Sequence, residues 1–266
     1  MIRWIIRLLC VLLIFVSMPT AYAQPNTITE EQLQRGDKLA QRAFEATEKG
    51  DFTTAEQYWT QLIEQFPSNP AVWSNRGNAR ISQNKLAEAI ADFEQAIELA
   101  PDAPDPYLNR GIAYEGQGRY EEAIADYNRV LQIDGEDAMA YNNRGNARAG
   151  QGCWQEAIAD YQKAADLAPQ FAIARANAAL ALYQVGEQEE ALRTMRNLVR
   201  KYPMFPDMRA ALTAVLWTQG NQGEAESNWV AAMGIDHRYQ DLEWVEKTRR
   251  WPPQMVSALR RFLTFQ

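Results

Sequence analysis

Six consecutive stretches of this chain repeat with a period of 34 residues and no insertion, beginning at Gly36, Pro70, Pro104, Ala138, Ala172 and Pro206. A fixed period of this length overrides any domain-by-domain reading. Each unit is a small supersecondary element that cannot bury its apolar face without a neighbour, so the units must stack into one continuous core. One position holds Ala55, Ala89, Ala123, Ala157, Ala191 and Ala225. Twelve places earlier stand Ala43, Gly77, Gly111, Gly145, Ala179 and Thr213, and four places later Trp59, Phe93, Tyr127, Tyr161, Met195 and Trp229. Small residues face large ones, which predicts two helices whose axes approach closely. The aromatic at the fourth place of a unit, Trp73, Tyr107 or Tyr141, fills the space beside that crossing.

The turn between the two helices is also written into every unit. Gly50, Asn84, Gly118, Gly152, Gly186 and Gly220 occupy one position, and a tightly ending helix needs there a residue that tolerates positive φ. Pro67, Pro101, Pro169 and Pro203 close the second helix, with Gly135 and His237 at the equivalent places. The predicted fold is all-α: a solenoid of six helix-turn-helix units over residues 36–69, 70–103, 104–137, 138–171, 172–205 and 206–239. Residues 24–35 are a linker running into the first helix, and residues 240–266 a capping segment.

The runs Trp73-Ser-Asn-Arg-Gly77, Tyr107-Leu-Asn-Arg-Gly111 and Tyr141-Asn-Asn-Arg-Gly145, with second helices such as Tyr120-Glu-Glu-Ala123-Ile-Ala-Asp-Tyr127, resemble tetratricopeptide repeats. The resemblance spans residues 36–239 and fades in units five and six. There Arg175 and Arg209 replace the aromatic, and Gln188 and Gln222 replace Phe52, Leu86, Tyr120 and Trp154, so those units are expected to be less regular or partly uncovered. It implies a right-handed superhelix whose first helices line a concave groove that binds a protein or peptide segment. The lining positions are Phe44, Ser74, Asn78, Ile81, Leu108, Asn109, Ile112, Met139, Asn142, Asn146, Ile173, Asn177, Leu180, Tyr183, Ala214 and Trp217, a neutral and rather apolar set. The alternative reading places several of these in helix packing.

One version of groove binding fails on chemistry. The family's clamp for a C-terminal carboxylate combines asparagines with lysine and arginine. Asn78 with Asn109, and Asn146 with Asn177, occupy the matching places, but the cationic places hold Ala40, Ser74, Met139 and Asn143 around the first pair and Leu108, Asn142, Asp207 and Ala211 around the second. A bound carboxylate would lack a countercharge. The asparagines instead suit the backbone of an extended peptide, or satisfy local backbone groups.

Residues 1–23 read as a secretory leader: Arg3 and Arg7, the apolar run Leu8 to Val16, then Pro19 and Ala21-Tyr22-Ala23. Export to a periplasm or thylakoid lumen follows. Cys10 lies in that leader, and Cys153 alone remains, so no intramolecular disulfide forms. With 27 basic against 34 acidic residues, broad nucleic-acid binding is disfavoured. His237 is the single imidazole, and no phosphate loop or metal spacing is present. No enzymatic activity, metal or cofactor is expected.

Beyond the repeats, Arg249-Arg-Trp-Pro-Pro253 breaks the chain, and Met255, Val256, Leu259, Phe262 and Leu263 recur at helical spacing. This segment is expected to cap the exposed face of unit six. Lys247, Arg249, Arg250, Arg260 and Arg261, with no acidic residue after Glu246, alternatively suit an anionic membrane or a membrane complex. The leader, the Asn-Arg-Gly repeats and this tail are similar to cyanobacterial and chloroplast-lumen tetratricopeptide proteins. Three functions remain open: a non-catalytic scaffold binding a segment in the groove, an assembly or stability factor for a membrane complex, or a structural array whose groove is closed by its own termini, with Gln24 to Arg35 long enough to fold back.

Overall fold

A computed structural model of the chain describes residues 29–265; the leader read in residues 1–23 lies outside them. The described residues hold fourteen α-helices and one 3-10 turn, without a strand. The helices come in pairs: α1 (Glu30–Glu48) with α2 (Phe52–Gln65), α3 (Pro70–Ser82) with α4 (Leu86–Leu99), and α5 (Pro104–Gly116) with α6 (Tyr120–Ile133). Then follow α7 (Ala138–Gly150) with α8 (Trp154–Leu167), α9 (Ala172–Gln184) with α10 (Gln188–Lys201), and α11 (Pro206–Thr218) with α12 (Gln222–Met233). The turn His237–Gln240 leads to α13 (Leu242–Lys247) and α14 (Pro253–Thr264). Each helix packs on the next through α12. The first helices of neighbouring units also meet directly, α3 with α5 and α5 with α7, more closely than the second helices do. The stack therefore bends toward the first-helix face and forms an α-solenoid. No described helix is long and apolar enough to cross a membrane.

The six turns share one geometry. Gly50, Gly118, Gly152, Gly186 and Gly220 have φ between 74° and 90°, and Asn84 has 59°. The next residue's amide in each case reaches back to the same helical carbonyl, as Lys85 N donates to Arg80 O and Arg119 N to Tyr114 O, both at 2.9 Å. This is the bond pattern of a helix ended by a left-handed residue.

The crossing of each pair is as tight as the sequence requires. A Cβ added to Gly77 would lie 2.7 Å from the Phe93 ring, and one added to Gly111 or Gly145 would lie 2.6 Å from Tyr127 or Tyr161. Charged pairs lock the same crossings. Arg76 with Asp92, Arg110 with Asp126 and Arg144 with Asp160 approach to 2.6, 2.7 and 2.7 Å, each aspartate being nearly buried. Arg80 and Arg148 add a second guanidinium to Asp92 and Asp160. Bidentate geometry of this kind compensates burial of the carboxylate.

The first helix starts within residues 24–35, at Glu30, where Thr29 and Gln32 form a reciprocal capping box. Two expectations are corrected here: Glu30–Arg35 extends that helix and does not fold back into the groove. Units five and six are regular. Trp73 Nε1 donates to Pro67 O at 2.8 Å and Tyr107 OH to Pro101 O at 3.1 Å. Arg209 Nε does the same to Pro203 O at 2.7 Å, and Arg175 to Pro169 O. An arginine thus replaces the aromatic as donor to the carbonyl six residues back.

Candidate functional site

The first-helix face divides into an open part and a filled part. In the open part, Phe44, Met139 and Ile173 are 51%, 52% and 54% exposed, large values for apolar side chains inside a curve. Phe44 stands edge-on to Trp59, with ring centroids 5.1 Å apart. Asn78 is exposed, and Ser74 and Asn109 are half-buried. Ile81, Leu108 and Ile112 are half-buried against the core formed by Ile90, Ala113, Tyr114 and Tyr127. They belong as much to packing as to the groove.

The second asparagine group is engaged within the chain. Asn177 Nδ2 donates to Asn142 Oδ1 at 3.0 Å and to Asn146 Oδ1 at 3.2 Å, and Tyr161 OH donates to the same Asn146 oxygen at 3.0 Å. Asn142 itself is buried. This network orients amides between α7 and α9 at the floor of the curve.

The filled part is occupied by the chain's own C-terminal segment. Helix α14 lies along α11 and reaches α9. Its Val256, Ala258, Leu259 and Phe262 share one core with Leu180, Tyr183 and Ala214. Phe262 meets Trp217 and Trp229 edge-on, at 5.2 and 5.1 Å. Leu180, Tyr183, Ala214 and Trp217, named as lining from the sequence, are therefore covered from within. The amphipathic pattern of α14 showed that one face is buried, and that face caps unit six on α11 and on Trp229 of α12; its reach onward to α9 was not legible.

Asp207 holds this arrangement. Its Oδ1 accepts from Tyr239 OH at 2.7 Å, Trp251 Nε1 at 3.0 Å and Arg249 Nε at 3.1 Å, while its Oδ2 pairs with Arg249 Nη2 at 3.0 Å. Burial pulls the Arg249 guanidinium down, but its hydrogen bonds to Asp207 and that carboxylate's charge hold it above its ordinary value. Arg250, with φ of 53°, turns back and pairs with Glu115 on α5. Burial pushes the Glu115 carboxyl up, against the pull of Arg250. The groove is thus not wholly neutral, as the sequence suggested. Neither Asp207 nor Glu115 was singled out as functional, although each is an acid at a groove position and the tail carries Arg249-Arg250 to match them. Lys247 pairs with Glu243, so three of the five tail cations serve contacts within the chain.

Between Glu115, the α7–α8 turn, α9 and the segment Glu246–Pro253 lies an open cleft of about 860 Å³. Elsewhere the chemistry is spare. Cys153 is a half-buried free thiol, His237 is exposed in the 3-10 turn, and among the described residues no cluster of His, Cys, Asp and Glu is placed to hold a metal.

Family models described as TPR repeat match residues 77–118 and 116–152, and models described as tetratricopeptide repeat match 138–171 and 176–233, together more than half of the chain. No curated protein matches the sequence. Among solved structures, a tetratricopeptide repeat protein from Parabacteroides merdae ATCC 43184 is 22% identical, with a TM-score of 0.64 over 87% of this chain and 86% of that one. YrrB, described as a TPR protein with an unusual peptide-binding site, is 21% identical, with a TM-score of 0.53 over 72% of this chain and 97% of that one. MamA from Desulfovibrio magneticus RS-1 is 18% identical, with a TM-score of 0.58 over 65% of this chain and 96% of that one. At these identities the likeness is one of fold.

Proposed function

This chain belongs to the tetratricopeptide repeat family, whose members are commonly scaffolds for protein interaction, and from that premise we propose that it binds an extended protein segment along the open part of its groove. The observation that carries this reading is the half-exposure of Phe44, Met139 and Ile173 on the first-helix face. A folded chain gains by covering such side chains, at about 25 cal/mol per Å² of apolar area removed from water. The same α14 that covers Leu180 and Tyr183 stops short of Met139 and leaves Ile173 open. The half-buried asparagines beside them supply hydrogen-bonding groups for a partner backbone. The peptide-binding site described for YrrB is consistent with this use of the fold. The leader pattern in residues 1–23 supports an exported compartment as the place of action.

The test uses the full chain as bait. Met139→Glu with Ile173→Glu should abolish retention of partners held by the parent protein, because both positions tolerate charge in the free chain and neither does once covered. Unchanged retention defeats the proposal. The position of α14 favours a second reading, in which the groove is chiefly a site for the chain's own tail. In that case neither protein retains a partner, and only removal of the tail exposes binding.

A further inference from the structure

We infer that the cleft floored by Glu115 is a receptor for an arginine side chain on an extended segment of a partner protein, filled in this structure by Arg250 of the same chain. The acid, the walls around it and its present occupant carry the assignment. Glu115 stands in the last turn of α5 (Pro104–Gly116), where the negative end of the helix dipole disfavours a carboxylate. Its side chain is 11% exposed. A buried acid in that place needs a cation, and Arg250 is the one that reaches it.

The walls suit a planar guanidinium more than a compact ammonium. Tyr127 OH donates to Glu115 Oε2 at 3.3 Å, and Tyr120, Trp154, Tyr161 and Asn146 line the cleft. Flat aromatic faces and fixed acceptors are the surroundings in which arginine stacks and bonds at once. At about 860 Å³ the space exceeds one side chain and leaves room for the residues flanking an incoming arginine.

The present occupant is built to leave. Arg250 adopts a left-handed backbone, an unfavourable state for a residue with a Cβ, and its side chain is half exposed. Its neighbours Arg249 and Trp251 are tied separately to Asp207, so Arg250 can withdraw while the tail stays docked. Ile173 also lines the cleft, which makes it continuous with the open groove. The assignment rests on the groove reading above, to which it adds the chemistry of the partner.

Thermal unfolding of the full chain tests it, with N-acetyl-arginine methylamide as probe and its neutral citrulline and cationic lysine counterparts as controls. Arg250→Ala should melt below the parent, and millimolar arginine derivative should raise its Tm by about 2 °C. The citrulline compound should give no rise, the lysine compound a smaller one, and the double variant Arg250→Ala with Glu115→Gln no response to any probe. In the double variant the amide at 115 is neutral and can still accept from Tyr127 OH, so no unpaired buried charge remains, and a cooperative melt of each variant without probe is the reference for every shift. Equal rises for arginine and citrulline or for arginine and lysine, or a rise that survives in the double variant, overturn the assignment. Failure here with loss of partner retention in the Met139→Glu, Ile173→Glu variant removes the arginine site and leaves the groove reading standing. The reverse pattern removes groove binding alone.

Discussion

Replacing Gly111 by Ala brings a methyl carbon to 2.6 Å from the Tyr127 ring, and since that ring is fully buried neither side yields without shifting a helix. Overpacking of this kind costs about 1–3 kcal/mol. Gly118→Ala meets no atom within 4 Å but keeps φ at 75°, so its penalty is conformational, about 1 kcal/mol. Urea unfolding of the two variants should separate them, and Tyr127→Ala should cost more than either, on the order of 3–5 kcal/mol. A pH series probes another residue. Burial alone would raise Glu56, but hydrogen bonds from Lys85, Arg80 and Gln83 outweigh it and hold the carboxyl at about 2, below its ordinary 4.5. A lowered acid stabilises the fold above its unfolded value and loses that contribution as pH falls. The Tm deficit of Glu56→Gln relative to the parent should therefore be full at pH 6 and shrink between pH 4.5 and 2. The small-against-large pairs were legible in the sequence because steric fit repeats in every unit. The Arg–Asp locks were equally periodic, at 76, 110 and 144 and at 92, 126 and 160, yet charge at a repeat position reads first as a solvated face.

At the scale of the element, the helices follow their punctuation, and what the sequence left unsaid is where the last ones go. Glycine, asparagine and proline act on the chain locally, so turns and stops are visible without tertiary information. A docking partner is not local. The apolar face of α14 required a cover, and finds it on unit six, at α11 and Trp229 of α12, with a further reach to α9. Asp207 fixes that placement by gathering Tyr239, Arg249 and Trp251. Asp207→Ala should leave the Tyr239 and Trp251 donors without a buried acceptor, on the order of 3 kcal/mol. Trypsin should then cut after Arg249 and Arg250 about tenfold faster than in the parent while cleavage inside α3 to α8 stays unchanged. Equal rates would show that α14 stays docked by its apolar face alone.

Across the whole molecule the core is unevenly distributed. Units five and six merge with α13 and α14 into one large cluster containing Met195, Met208, Leu212, Leu259 and Phe262. The earlier units hold smaller separate clusters, such as that of Trp59, Leu62 and Ile63. In a linear array stability is shared only between neighbours, so opening should begin at the N-terminal pair. Native-state hydrogen exchange should find α9, α11 and α14 protected most and α1 and α2 least. Units five and six looked weakest in the sequence because Arg175 and Arg209 break the aromatic pattern, whereas the tail supplies the missing apolar area from elsewhere in the chain.

The end of α14 carries a practical corollary. Phe265 follows it directly, its ring 6.5 Å from that of Trp217 and tilted by 33°, so an affinity tag or fluorescent fusion placed beyond α14 would crowd the surface being assayed. Interaction screens on this protein belong on immobilised bait anchored at the opposite terminus, with C-terminally labelled preparations kept as the comparison for steric interference.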